Sequence, residues 1–162
     1  MKKWRLFDKE NVIDEKCYST AKKIMKGKVI VIADDNGGIL KWLKFSLEDY
    51  GAIIHTFEHG NDTVDFVQNS AKNNQHVNIL MLDLIMNEIG GIEIAKRSKE
   101  ANPQALILFI TGCSKDSEEW LEASKLGIVI QKPVGIEDIL ATVIENLNLA
   151  TSNGNKCKQN SR

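Results

Sequence analysis

Val29-Ile30-Val31-Ile32-Ala33-Asp34-Asp35 and Ile79-Leu80-Met81-Leu82-Asp83 follow one plan: an unbroken apolar run that ends in acid. A strand with one face in water alternates apolar and polar residues. A run that is apolar at every position needs cover on both faces, which a parallel sheet flanked by helices provides. Working outward, runs of strand length occupy residues 28–33, 52–57, 77–82, 106–110 and 128–130. Between them apolar residues recur at helical spacing: Leu40, Leu43, Leu47 and Tyr50; then Val64, Phe66 and Val67; then Ile89, Ile92, Ile94 and Ala95. A fourth helix is predicted to begin at Asp116, with Glu119 completing a capping box, and a fifth carries Ile139, Leu140, Val143, Ile144 and Leu147. The order is β-α repeated five times. It predicts an open, doubly wound α/β fold with a five-stranded parallel sheet and helices on both faces.

The 162 residues suit one domain with trimmings, and 43% apolar against 27% charged residues exclude a disordered or fibrous chain. No apolar run reaches the length of a membrane-spanning helix, and Asp8-Lys9-Glu10 interrupts the start before a signal-peptide core can form, so neither membrane insertion nor secretion is expected. Cys17, Cys113 and Cys157 are odd in number and far apart, which fits a reducing, cytoplasmic location better than a disulfide framework or a zinc site. The net charge of -1 hides a division: residues 1–28 sum to +5, residues 29–150 to -9 and residues 151–162 to +3. An acidic central domain argues against direct nucleic-acid binding, whose affinity comes largely from cations on phosphates.

In a doubly wound sheet the ligand site lies beyond the carboxyl ends of the strands. There the sequence places Asp34 and Asp35 after the first strand, Asp83 after the third, Thr111-Gly112 after the fourth and Gln131-Lys132-Pro133 after the fifth. One Asp at a strand end is ordinarily a cap or turn former. Three together repel unless a cation or a raised pKa relieves them, and a hard, oxygen-seeking ion such as Mg²⁺ is the natural candidate. Lys132 and the Thr111 hydroxyl opposite suit the oxygens of a phosphoryl group.

Residues 28–148 resemble the receiver domain of two-component response regulators. Val31-Ile32-Ala33-Asp34-Asp35 is similar to the family's acidic pair, Leu80-Met81-Leu82-Asp83-Leu84-Ile85-Met86 with Gly91-Ile92-Glu93 to its phospho-acceptor strand and loop, Ile110-Thr111-Gly112 to its switch hydroxyl segment and Gln131-Lys132-Pro133 to its lysine-proline pair. The resemblance implies a flavodoxin-like (βα)5 fold like that of the chemotaxis regulator, with strand order 2-1-3-4-5. It makes Asp83 the phospho-acceptor and assigns Mg²⁺ to Asp35, Asp83 and the backbone carbonyl of Ile85, with Asp34 in the outer shell. Thr111 and Lys132 would hold the phosphoryl oxygens. The donor would be a histidine kinase or histidine phosphotransfer protein, and the phosphorylated state would switch binding to a downstream protein partner. In this reading the chain is a phosphoacceptor and not an enzyme. It lacks the signatures of nucleotide-binding and hydrolase α/β folds. An aspartyl-phosphate phosphatase, which also uses a strand-tip Asp and Mg²⁺, is the rival. It needs a second acid two residues after the nucleophile, where this chain has Ile85. A third reading is a receiver cut from a longer hybrid kinase or regulator.

Several residues depart from the family pattern. Asn87 stands where proline is usual, which loosens the loop beyond Asp83 and removes no ligand. Val129 replaces a common aromatic residue and the segment 127–132 is about two residues short, so signalling by an aromatic flip is not expected. Gly37-Gly38 opens a helix at about 1 kcal/mol per glycine, either to ease backbone approach to the site or because the end frays. Ile85 and Cys113, at positions that in similar proteins aid or hinder the hydrolytic water, offer it no acid-base group, so slow self-dephosphorylation is expected. Trp42 and Phe45 lie off the stripe of the first helix, as a partner-docking face or as the margin of a wide core face. His55, His59 and His76 carry no site.

Residues 1–27 form an N-terminal extension in which Ile13, Cys17, Ala21 and Ile24 follow helical spacing, with acids early and lysines late before Gly27, as an amphipathic helix prefers. Packing on the domain is the default expectation; self-association or a partner are the alternatives. Residues 149–162 are polar and expected to be disordered. No output domain fits after residue 150, so output is expected through protein contact or onward phosphotransfer.

Overall fold

The alternation of side chains along β1 (Val29–Ala33) divides the core in two. The structure, a computed structural model, describes residues 15–156, with side chains over 18–147. Ile30 and Ile32 face one way, into a cluster with Leu40, Leu43 and Leu47 of α2 (Gly37–Glu48) and Ile139, Leu140 and Val143 of α6 (Ile136–Lys156). Val31 and Ala33 face the other way, against Val64 and Val67 of α3 (Gly60–Lys72), Ile94 and Ala95 of α4 (Gly91–Ala101) and Ala123 of α5 (Glu118–Ala123). Strands β2 (Ile53–Phe57), β3 (Ile79–Leu82), β4 (Leu106–Thr111) and β5 (Ile128–Gln131) complete one parallel sheet in the order β2-β1-β3-β4-β5. Every residue of β3 is buried, which is why that run carries no polar position. The predicted fold class and strand order are therefore those of the protein.

Register carries the strand ends to a common edge. Ala33 pairs with Phe57 on one side and Leu82 on the other, Leu82 pairs with Phe109, and Thr111 with Gln131. One residue further, Asp83 N–H donates to the Ala33 carbonyl at 2.9 Å and Lys132 N–H to the Thr111 carbonyl at 2.7 Å. The polar residues after each strand thus leave the sheet side by side.

Two local readings change and one open alternative is decided. The fourth predicted helix is capped by Ser117, whose hydroxyl accepts from Trp120 N–H at 3.2 Å, and not by Asp116. Asp116 N–H instead donates to the Ser114 hydroxyl in the preceding turn. Trp42 and Phe45 are 40% and 61% exposed, so they belong to no core face. Residues 149–156, expected to be disordered, continue α6 to Lys156, and 157–162 with Cys157 lie outside the described residues. Asn36 caps α2 by accepting from Gly38 and Ile39 N–H, and Gly37 leaves room for the Glu58 carboxylate; both glycines are ordered parts of the helix start.

The extension supplies a helix of its own, α1 (Glu15–Met25), which packs against α6. Ile13 lies outside the described residues, and the side chain of Cys17 is likewise not described. Ala21 and Met25 are fully buried in the α2–α6 cluster, and the Tyr18 ring meets Tyr50 at 5.3 Å between centroids. A positive φ at Gly27 turns the chain into β1, and its N–H reaches the Gly51 carbonyl at 2.8 Å. A buried Met truncated to Ala loses roughly 2–5 kcal/mol. Met25→Ala is therefore expected to lower the urea midpoint of the whole domain by that order, in a single transition. An unchanged midpoint, or a separate early transition, would show that α1 lies outside the cooperative core.

Candidate functional site

Asp34, Asp35 and Asp83 each bring a carboxylate oxygen to one point, all within 4.8 Å of one another. The environments of the three differ. Asp34 is buried, 3% exposed, and one of its oxygens accepts the Asn36 N–H at 2.9 Å, an Asx turn that fixes the start of α2. Asp83 is half-buried beneath the loop 84–90, and Asp35 is exposed. Full charges at such a separation repel by about 1 kcal/mol through water and roughly 3 kcal/mol at a surface-like dielectric.

Lys132 answers part of that charge. Its ammonium donates to Asp34 Oδ2 at 2.7 Å and to Asp83 Oδ2 at 3.0 Å, bridging the first and third strands from the fifth. Burial by itself lowers the lysine's pKa; the hydrogen bonds to Asp34 and Asp83, aided by their charges, more than offset it, so the pKa lies above the ordinary lysine value. The ammonium is fully charged at neutral pH. The following bond, Lys132–Pro133, is cis.

Thr111 sits at the tip of β4, 1% exposed, with its hydroxyl oxygen accepting Cys113 N–H at 3.2 Å. The hydroxyl's own proton is left to donate elsewhere. Gln131 reaches across from β5 to donate to the Cys113 carbonyl at 3.3 Å, tying the loop after β4 to the strand that carries Lys132. Among the described residues the Thr111 hydroxyl makes no hydrogen bond to Asp83 or to the Lys132 ammonium, so it is near the acids by register and not by contact. Ile85 follows Asp83 on the other rim with its side chain 58% exposed.

The loop between Asp83 and α4 is held by two glycines. A Cβ on Gly91 would collide with the Asp83 carbonyl oxygen, and one on Gly90 would stand 2.5 Å from that of Leu84. The backbone of the loop turns directly over the residue that bears the carboxylate. Glu88 adopts a positive φ, and its carboxylate accepts from the Asn61 amide at 2.8 Å, so the loop is also fixed to the first turn of α3. Asn87, beside it, extends its amide toward Asp35 Oδ2 at 3.4 Å.

The residues assigned to the site from the sequence, Asp34, Asp35, Asp83, Ile85, Thr111 and Lys132, all lie at this edge. Asn36, Asn87, Gln131 and the Gly90-Gly91 pair complete the arrangement and were not read as site residues. Asn36 was legible as an N-cap ahead of Gly37-Gly38; the others act through long-range approaches that leave no periodic signal. The histidines stay outside the site. His55 lies against the Phe66 ring at 4.4 Å, and its burial, then the charge of Lys44, lower its pKa.

The donor set fits a hard divalent cation. Three oxygen donors converge, one from an exposed side chain, and among the described residues Lys132 is the one cation hydrogen-bonded to them. No helix of the described residues is long and apolar enough to cross a membrane.

Comparison with known proteins agrees with this geometry. Residues 30–144 match the model of the response regulator receiver domain. The response regulator receiver protein CpdR of Brucella abortus is 30% identical over 128 residues, which cover 76% of this chain and 98% of that protein. TodT, a response regulator protein of Pseudomonas putida, is 29% identical over 77% of this chain, a match that spans 53% of its own length. Among solved structures, the BeF3-activated DrrB receiver domain superposes with a TM-score of 0.64 at 26% identity, covering 75% of this chain and 98% of that one. With its sheet order, its three strand-tip acids and its bridging lysine, the chain belongs to the response regulator receiver family of two-component systems.

Proposed function

We propose that Asp83 accepts a phosphoryl group from a histidine kinase or histidine phosphotransfer protein, with Mg²⁺ bound, and that the phosphorylated domain switches its contact with a downstream protein. The observation that supports this most directly is the Lys132 ammonium within 3.0 Å of Asp83 Oδ2, beside two further carboxylates. An Asp83 oxygen attacks phosphorus as the bond from phosphorus to the donor's imidazole nitrogen breaks; with the other ring nitrogen protonated, the leaving group is a neutral histidine and the product an acyl phosphate. A carboxylate is a weak nucleophile, so the site contributes by position and charge: Lys132 moves from carboxylate to phosphoryl oxygen, and the Thr111 hydroxyl donates to another. Asp35, Asp83 and the Ile85 carbonyl would hold the ion, with Asp34 in the outer shell. When bound, Mg²⁺ supplies neutralisation of the phosphoryl charge.

The phosphatase reading needs a general acid two residues beyond the nucleophile. That side chain is Ile85, and Asp34 is already engaged by Lys132 and Asn36. The domain therefore stores the phosphoryl group and does not turn over phosphate esters. The added charge at Asp83 draws Lys132 and Thr111 inward, and the loop after β4 is the element that must follow.

Mg²⁺ is expected to bind in the millimolar-to-submillimolar range, as suits an ion held by few protein ligands and several waters. An NMR titration reads this directly, and unchanged binding in both Asp35→Asn and Asp83→Asn would place the ion elsewhere.

Acetyl phosphate is expected to label Asp83 alone, as an adduct stable to acid and labile to alkali and hydroxylamine. Asp83→Asn should lose the label, and Lys132→Ala should lose most of it while remaining folded. Undiminished label in Asp83→Asn would reject that residue as the acceptor.

The adduct is expected to be long-lived, because Ile85 is an exposed apolar screen and Cys113 offers no strong base. Decay of the purified phosphoprotein is followed in wild type, Ile85→Asn and Cys113→Glu. Loss within seconds in wild type, or equal rates in all three, would show that these side chains do not set the lifetime.

A further inference from the structure

The three carboxylates are not held alike. Asp34 and Asp83 share the Lys132 ammonium, and Asp34 also accepts a backbone N–H. Asp35 receives nothing from that lysine. Its side chain is exposed, and among the described residues its hydrogen-bond partner is the Asn87 amide from the opposite rim, at 3.4 Å to Oδ2. We infer that Asn87 is a positioning residue for the metal: its amide holds the Asp35 carboxylate over the cleft and thereby raises Mg²⁺ affinity.

Three features of the loop give the amide a fixed base. Glu88, the next residue, is bonded to Asn61 of α3, and its positive φ sets the direction of the chain there. Ile89 packs so close to Gly60 that a Cβ on that glycine would lie 2.5 Å from it. Gly90 and Gly91 lie against the carbonyls of Leu84 and Asp83. Asn87 therefore projects from a segment anchored on both α3 and the acceptor residue. A proline at this place has no donor to offer, so the contact is a property of this chain and not of the usual family loop.

The chemistry of the donor decides the sign of the effect. An ammonium on Asp35 would cancel its charge and compete with the ion; a neutral amide takes Oδ2 and leaves the negative charge and Oδ1 available. An exposed carboxylate free to rotate must be ordered when it ligates, and a hydrogen bond made beforehand removes part of that cost. Asn87 touches no reacting atom, so it acts through Asp35.

The inference rests on the metal reading above, and one set of titrations separates the two. Mg²⁺ binding to the full chain is followed by NMR or calorimetry in wild type, Asn87→Leu, Asp35→Asn and the double variant, with Tm measured in EDTA. Asn87→Leu removes the amide at nearly constant volume. It is expected to weaken Mg²⁺ binding roughly tenfold, with the metal-free Tm unchanged, whereas in the Asp35→Asn background the same change should alter affinity by less than about twofold. A loss below about threefold in the wild-type background, an equal loss in both backgrounds, or a fall in metal-free Tm that accompanies the loss would each overturn the assignment. Wild-type protein that binds no Mg²⁺, or binds it undiminished in Asp35→Asn, would overturn the metal reading itself, a result distinct from these.

Discussion

Three carboxylate oxygens within 4.8 Å can share one sheet edge only because Lys132 reaches two of them from another strand. The lysine comes from β5, at one border of the sheet, whereas Asp34 and Asp83 follow β1 and β3. Its bridge therefore requires the full strand order and the pairing of Thr111 with Gln131 that sets where β5 ends. Removal of the ammonium would leave Asp34 buried with a charge and no cation, which is costly even where a surface pair would be worth little. The same bridge makes the site reactive in the proposed sense: its hydrogen bonds to carboxylates are of the kind a phosphoryl oxygen can take over.

The sheet that presents this edge was legible because its central strands are buried on both faces. Ile79-Leu80-Met81-Leu82 carries no polar residue, and its short length between turn residues suits a strand covered on both faces. The three acids, the hydroxyl and the lysine were legible by position at the strand ends. What escaped were residues whose role depends on a distant chain segment. Asn102 is buried and donates to the Val77 carbonyl, and Asn78 accepts from Val29 N–H, closing the ends of strands in a way that polar residues in loops do not announce. Gly91 belongs to the segment that resembles the phospho-acceptor loop, but why glycine stands there shows only in the close approach of the Asp83 carbonyl, which a Cβ would meet. Ser117 in place of Asp116 as the cap of α5 is an error of one residue between two good capping types, decided by the turn that Ser114 closes.

The added helix α1 alters what the α2–α6 face can do. Met25 and Ala21 enter the same cluster as Leu43, Leu47 and Val143, so this part of the surface is spent on an intramolecular contact. Trp42 and Phe45 lie on α2 and stay exposed despite that cover. The matched family segment begins at Ile30, beyond α1, so the helix is an addition to the domain and not part of its common frame. It joins the core at the end of the sheet where β1 begins, away from the strand tips that bear the acids.

On the reading proposed here, the signal must leave the site through the loop after β4. The Thr111 hydroxyl accepts Cys113 N–H, so turning it toward a phosphoryl oxygen on Asp83 breaks that bond and frees the backbone of Cys113. In a receiver with an aromatic residue on β5 the vacated space could be filled by a ring. Here the corresponding residue is Val129, half-buried against the α3–α5 cluster, with too little volume and no ring to rotate. The displacement therefore passes to main chain: to Gln131, whose amide holds the Cys113 carbonyl, and to the Thr111 carbonyl bonded by Lys132 N–H. Lys132 then stands at both ends of the event, since its ammonium meets the phosphoryl group and its N–H holds the strand tip that moves.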